Sequence, residues 1–273
     1  MTNFPDSQLT ISIADWIITL DLVHCDDPMR NRINKWYSAF VVSPSADAMT
    51  IDVKVEVGPE YIPFKGNKSW QIKTSTQNGR IEFESHLEKG WFDRQAKLGQ
   101  VVLRPNGDLE NYLRVLYAWF CVDHGSLLLH SCGIIRDGRG YVFFGPSGNG
   151  KTTTTSLSAP YTILSDDLVI IKKVENRFRV YGVPFRGDLP EAPRTNASAE
   201  VCGVFALTKD KRHYLTPLVL PEAVARLVQC VPFVMTQPEI VKRVTEICTD
   251  LAKSVPLQML HFRKDNGFWE IIP

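Results

Sequence analysis

Residues 141–155 read YVFFGPSGNGKTTTT. An apolar, strand-like run stops at Gly145, and Gly148, Gly150, Lys151 and Thr152 follow within seven residues. The spacing is G-x-x-x-x-G-K-[ST]. Glycines at these places let successive backbone N–H groups turn toward one anion. A helix starting just beyond adds its positive end. A lysine there reaches the β- and γ-phosphates, and the next hydroxyl ligates Mg²⁺. A chance match in a chain of ordinary composition is on the order of 1%. The segment therefore reads as a phosphate cradle between a strand and a short helix rather than as a hairpin turn. It commits this part of the chain to an α/β arrangement.

The cradle expected from the pattern spans Gly145, Ser147, Gly148, Asn149, Gly150, Lys151, Thr152 and Thr153. The phosphate chemistry itself requires neither Asn149 nor Thr153. Lys151 is the cation for the phosphates, and Thr152 is the expected Mg²⁺ ligand. ATP and Mg²⁺ are thus the expected cofactors.

With 273 residues the chain can build one large domain or two modest ones. Lys+Arg number 31 and Asp+Glu 30, a formal charge of +1, so neither nucleic acid nor an anionic membrane is an expected partner. The N-terminus lacks a basic start followed by an apolar stretch, and no apolar run reaches the ~20 residues that span a bilayer. Cys25, Cys121, Cys132, Cys202, Cys230 and Cys248 are scattered without a C-x-x-C pair. That argues against structural zinc and a disulfide framework, and for a reducing cytoplasm. Cys132 and Cys202 read as small core residues.

Residues 1–106 show short alternating or β-branched runs, LTISIADWIITLDL, FVVSPSADAMTIDVKV, WQIKTST and GRIEFESHL, parted by QNGR and PFKGN. They read as a β-rich domain, with Trp16, Trp36, Trp70 and Trp91 packing its core. Residues 107–273 read as a second, α/β domain. GDLENYLRVLYAWFCVD places apolar residues at 113, 116, 117 and 120, a helical spacing with Asp108 as N-cap. Two strands around DGRG precede the cradle; LSDDLVII and NRFRVYGVPF are further strands. PEAVARLVQCV and TQPEIVKRVTEICTDLAKSV are helices, the latter with the capping-box spacing Thr236…Glu239. The tail LQMLHFRKDNGFWEII suggests a hairpin around Asn266-Gly267.

Three more features carry chemistry. Asp166 and Asp167 stand in tandem between apolar runs, 15 and 16 residues after Lys151. One such carboxylate can orient a metal while its neighbour takes a proton from an attacking hydroxyl. His130 interrupts the apolar LLLHSCGII, where a histidine by default is a satisfied core residue. Arg186, in VPFRGDLP, follows a strand and suits the charge of a transferring phosphate.

Taken in order, HSCGII, GPSGNGKT, SDD and FRG resemble the HPr kinase/phosphorylase family and, more distantly, ATP-dependent phosphoenolpyruvate carboxykinases. The resemblance covers about 110–273 and is nearest to HPr kinase-like proteins of bacterial biosynthetic clusters, including kinases of lasso-peptide precursors. It implies an α/β P-loop kinase of that fold, preceded by the β-rich part. It implies Asp166 as general base, Asp167 as a support for metal and for Asp166, His130 beside the γ-phosphate or metal, and Arg186 as the arginine of the E-x-R-G segment. Where HPr kinases continue Lys-Ser-Glu, this chain has Lys151-Thr152-Thr153. The implied acceptor is therefore a serine of another peptide or small protein, with a small metabolite or a non-catalytic nucleotide-binding role as alternatives. A homo-oligomer stays open.

Overall fold

The structure, a computed structural model, describes residues 7–56, 72–77, 79–185, 187, 189 and 193–273. Arg186, Trp70 and the PFKGN turn lie outside the described residues. The fold is mixed α/β with two sheets, and the chain divides into two compact units, Met1–Leu116 and Tyr117–Pro273. No helix among the described residues is long and apolar enough to cross a membrane.

The first unit holds β1 (Gln8–Ile13), β2 (Trp16–His24), α1 (Asp27–Tyr37), β3 (Met49–Val55), β4 (Lys73–Gln77), β5 (Arg80–Glu84), β6 (Glu88–Asp93) and β7 (Leu98–Leu103). Its seven strands lie in the order β1-β2-β3-β7-β6-β5-β4. β1 and β2 form a hairpin whose two turn residues, Ala14 and Asp15, both have positive φ (50° and 67°), the twist a tight hairpin needs. β2, β3 and β7 run parallel, so the unit is not a simple meander.

The sequence reading missed α1, and its signals are local. Asp26 accepts the Met29 N–H at 2.9 Å as N-cap, Pro28 sits in the first turn, and Met29, Ile33 and Tyr37 form the buried stripe. The tryptophan expectation also fails. Trp16, Trp36 and Trp91 are only half-buried, and Ile, Leu and Phe fill the core. Two of the indoles lie under arginines instead, Arg80 at 3.7 Å from the Trp91 ring and Arg32 at 5.8 Å from Trp36.

A second helix, α2 (Glu110–Asp123), has Asp108 accepting the Glu110 N–H at its start, as expected. It is buried nearly all round rather than along one stripe. Tyr112 meets Phe83 and Phe92 edge-on, each at 5.9 Å, contacts worth about 0.5–1.5 kcal/mol beyond burial. Its hydroxyl donates to Trp91 O at 2.8 Å, over Gly99, where a Cβ would come within 2.5 Å of the Tyr112 hydroxyl. Beside it, the buried Glu88 accepts from Tyr112 N at 3.2 Å, with Asn111 as a further donor. Burial, seconded by Asp108, pushes the Glu88 carboxyl well above its ordinary range.

The second unit carries β8 (Leu127–Arg136), β9 (Arg139–Phe144), α3 (Lys151–Leu157), β10 (Thr162–Ser165), β11 (Leu168–Val174), β12 (Arg177–Tyr181), β13 (Ser198–Lys209), β14 (Tyr214–Pro217), α4 (Leu220–Val228), α5 (Pro238–Ser254) and β15 (Leu257–Phe262). β8 pairs antiparallel with β9, β9 parallel with β13, β13 antiparallel with β12, β12 with β11, and β11 again with β8. These pairings close on themselves, so five strands form a ring that removes its own edges. β10 and the β15–β14 pair extend it outward.

β13, the longest strand at 12 residues, was not read from the sequence; its polar–apolar mixture hides it because its two halves have different neighbours. α5 begins at Pro238 with Gln237 as N-cap and no side-chain cap bond, so the capping box at Thr236 does not form. The tail is no hairpin either. β15 pairs with β13 and β14, and Asn266–Glu270 is a 3-10 turn in which Asp265 accepts the Gly267 N–H at 3.0 Å. That turn drives Phe268 and Trp269 into a core shared with Phe143, Phe205 and Phe262. There the Trp269 Nε1–H donates to Ser158 Oγ at 2.9 Å, just past α3.

Two outcomes follow from buried polar groups. The folded unit holds the Glu88 proton more tightly than the unfolded chain does. This contribution is therefore fully present at acid pH and is lost as pH climbs from the ordinary 4.5 toward the raised value. Glu88→Gln keeps the acceptor for Tyr112 and should match wild type in melting temperature at low pH, then exceed it increasingly as pH rises; a gap independent of pH would refute this. Trp269→Phe removes the donor to Ser158 Oγ, which keeps its own bond to Thr154 O, and should cost about 1–2 kcal/mol in denaturant unfolding, and Ser158→Ala should add less in the double variant than alone.

Candidate active site

The cradle begins where β9 ends. Gly145, Gly148 and Gly150 have φ of 154°, 84° and 107°, conformations that side chains resist. At Gly150 a Cβ would also lie 2.7 Å from Phe262 Cζ, so β15 fixes the loop from below. Asn149 Nδ2 donates to Leu207 O at 3.0 Å, tying the loop to β13. Asn149 thus has an anchoring contact on the protein side. The buried Lys151 folds back, its Nζ donating to Gly145 O at 2.9 Å. Ser147 and Gly148 are exposed, and Thr152 and Thr153 are half-buried.

Helix α3 is made of KTTTTSL, a poor helical sequence. Its hydroxyls are absorbed by the backbone one turn earlier: Thr155 on Lys151 O (3.0 Å), Ser156 on Thr152 O (2.9 Å) and Ser158 on Thr154 O (2.7 Å). Thr152 does not make such a bond with its own hydroxyl among the described contacts. These residues fit a nucleotide phosphate with Mg²⁺: three glycines at positive φ, a lysine with a carbonyl partner, and a hydroxyl beside it.

His130 lies on β8 and the tandem aspartates between β10 and β11, and the sheet brings them together. His130 Nε2 is 3.1 Å from Asp167 Oδ1. The His130 side chain is 42% exposed and that of Asp167 24%, so this is not a sequestered core histidine. Asp166 differs: it is buried, and its Oδ2 accepts the Leu189 N–H at 2.9 Å. Gly187 packs so tightly on it that a Cβ would come within 2.2 Å of Oδ2. Gly187 and Leu189, which follow Arg186, thus pack on Asp166; Arg186 itself lies outside the described residues. Ser165 Oγ accepts from both Asp167 N and Leu168 N at 3.3 Å, which shapes the bend.

A cleft of about 390 Å³ opens here, lined by His130, Phe144, Gly145, Pro146, Ser147, Ala206, Leu207, Arg226, Gln229 and Cys230. Nothing in the sequence singles out Arg226, one cation on an amphipathic helix. Burial pushes the Cys132 thiol up to about 12 and also raises Cys230, although Lys151 opposes both shifts, so both stay protonated and inert. The described residues hold no cluster of three or more His, Cys, Asp or Glu suited to a metal on their own.

Comparison with curated proteins yields no match. Among solved structures, the Hpr(Ser) kinase/phosphatase from Coxiella burnetii aligns at 12% identity over 52% of this chain and 89% of that one, with a TM-score of 0.29. The family model described as SynChlorMet cassette protein ScmC matches residues 109–273, the whole region that carries the cradle, the histidine and the aspartates. The chain belongs to this ScmC family.

Proposed function

We propose that the second unit is an ATP- and Mg²⁺-dependent phosphotransferase that places the γ-phosphate on a hydroxyl, with a serine of a peptide or small protein as acceptor. The observation that carries this reading is the 3.1 Å contact of His130 with Asp167 at the wall of a cleft shared with Gly145 and Ser147. Binding alone has no use for an acid–base pair beside a phosphate cradle.

In this reading the backbone N–H groups of 147–152 and Lys151 would hold the phosphates, and Thr152 and Asp167 would hold Mg²⁺. When bound, Mg²⁺ would supply charge neutralisation at the phosphates. Lys151 gives up its bond to Gly145 O to reach the phosphates, an exchange of a neutral acceptor for a charged one. The family resemblance implies Asp166 as the group that takes the serine proton. Geometry favours a second arrangement, in which His130 takes it and Asp167 orients the ring, because Asp166 is buried and already accepts from Leu189.

Lys151→Ala should abolish ATP binding measured by calorimetry. At saturating ATP, the variant lacking the true proton acceptor should transfer about 100- to 10,000-fold more slowly while still binding the nucleotide. Comparing His130→Asn with Asp166→Asn, with serine peptides followed by mass for an added phosphate, decides which residue it is. A wild-type protein that binds ATP with Mg²⁺ yet phosphorylates no peptide or metabolite would instead make it a nucleotide-binding regulator.

A further inference from the structure

We infer that Arg226 is the cation that meets the phosphoryl group as it moves, an inference that rests on the phosphotransferase reading above. Three observations place it there. First, the Lys151 ammonium lies on Gly145 O, so the lysine marks the beginning of the loop as the end that receives the terminal phosphate. That same Gly145, with Pro146 and Ser147, forms the cleft wall. Second, among the described residues that line the cleft, Arg226 alone carries a permanent positive charge. Third, a residue on its own helix orients it. Glu222, one turn earlier on α4, accepts from Arg226 Nε at 2.9 Å and lies 2.8 Å from Nη2 through the same oxygen, which fixes the guanidinium plane without engaging Nη1. The end of α4 is in turn stapled to the site, because His130 N donates to Cys230 O at 2.7 Å.

Transfer breaks the bond between the γ-phosphorus and its bridging oxygen, whose electron pair leaves with ADP. It forms the bond from the acceptor oxygen to phosphorus, and the acceptor's proton passes to the basic residue. Negative charge shifts onto the bridging and equatorial oxygens on the way. A guanidinium in a half-enclosed cleft stabilises that charge more than it stabilises bound ATP. Arg226 is therefore expected to act on rate and hardly on nucleotide affinity.

The test uses the full chain with Arg226→Gln, Arg226→Lys and Glu222→Gln. At saturating ATP and Mg²⁺, Arg226→Gln should slow transfer, or hydrolysis with water as acceptor, by about 100-fold or more while ADP affinity stays within about threefold. Glu222→Gln, which removes the ion pair but keeps the cation, should stay within about tenfold of wild type. A second readout needs no turnover. ADP with aluminium fluoride should raise the wild-type melting temperature beyond ADP alone, and Arg226→Gln should lose that increment while keeping the one from ADP. If Arg226→Gln does not fold, Arg226→Lys is read the same way, with a partial loss of both rate and fluoride increment expected. Arg226→Gln at wild-type rate with its full fluoride increment would overturn the assignment and leave the phosphotransferase reading standing. Wild-type protein that binds neither ATP nor ADP would overturn both.

Discussion

The second unit depends on a single strand being used at both edges. On one edge of β8, Ser131 pairs with Phe144, the last residue before the cradle. On the other, the Ser131 N–H donates to Asp167 O at 2.9 Å, and His130 stands opposite Leu168. The phosphate loop and the aspartate pair are thus indexed to adjacent positions of one backbone. Because side chains alternate along a strand, a slip of one residue on the β11 edge would turn His130 away from Asp167, and one on the β9 edge would displace the cradle. The buried apolar residues of β8, Leu127 to Leu129, Cys132 and Ile134, fix that register by sealing it in the core.

The cradle in turn depends on residues far from it in sequence. A glycine loop gives no stability of its own, since each glycine loses more backbone freedom on ordering than any other residue. Here the ordering comes from Phe262 under Gly150, from Leu207 holding Asn149, and from Trp269 at the end of α3. Thr155, a residue type that favours strands, has its hydroxyl satisfied by the carbonyl of the preceding turn. The ring of strands supplies the rigid frame these contacts assume.

What could be read from the sequence was whatever local chemistry determines: the strand–loop–helix around Gly145, the Asp137-Gly138 hairpin between β8 and β9, and the tandem aspartates at a strand break. The pairing of His130 with Asp167 was open to inference only through a resemblance, because 37 residues part them and their meeting depends on the sheet register. Three kinds of feature escaped. α1 was overlooked although Met29, Ile33 and Tyr37 recur at helical spacing, since the β-branched runs around it dominate the segment. β13 has no uniform periodicity, because it is flanked by different strands along its length. Arg226 was invisible because nothing in PEAVARLV distinguishes a cation facing a cleft from one facing water.

The buried cysteines have a practical consequence. Cys25 is the sole thiol of the first unit, whereas Cys121, Cys132, Cys230 and Cys248 are buried in the second. Burial keeps all five protonated and out of reach of alkylating reagents until the surrounding structure opens. The rate at which each becomes labelled is therefore a clock for local opening, read separately for the two units in one sample and without introduced probes. With Cys132 beside Thr155 and Cys230 beside Gly145, two of those clocks sit against the cradle itself. The breathing of the phosphate loop is thereby recorded by atoms the protein already carries.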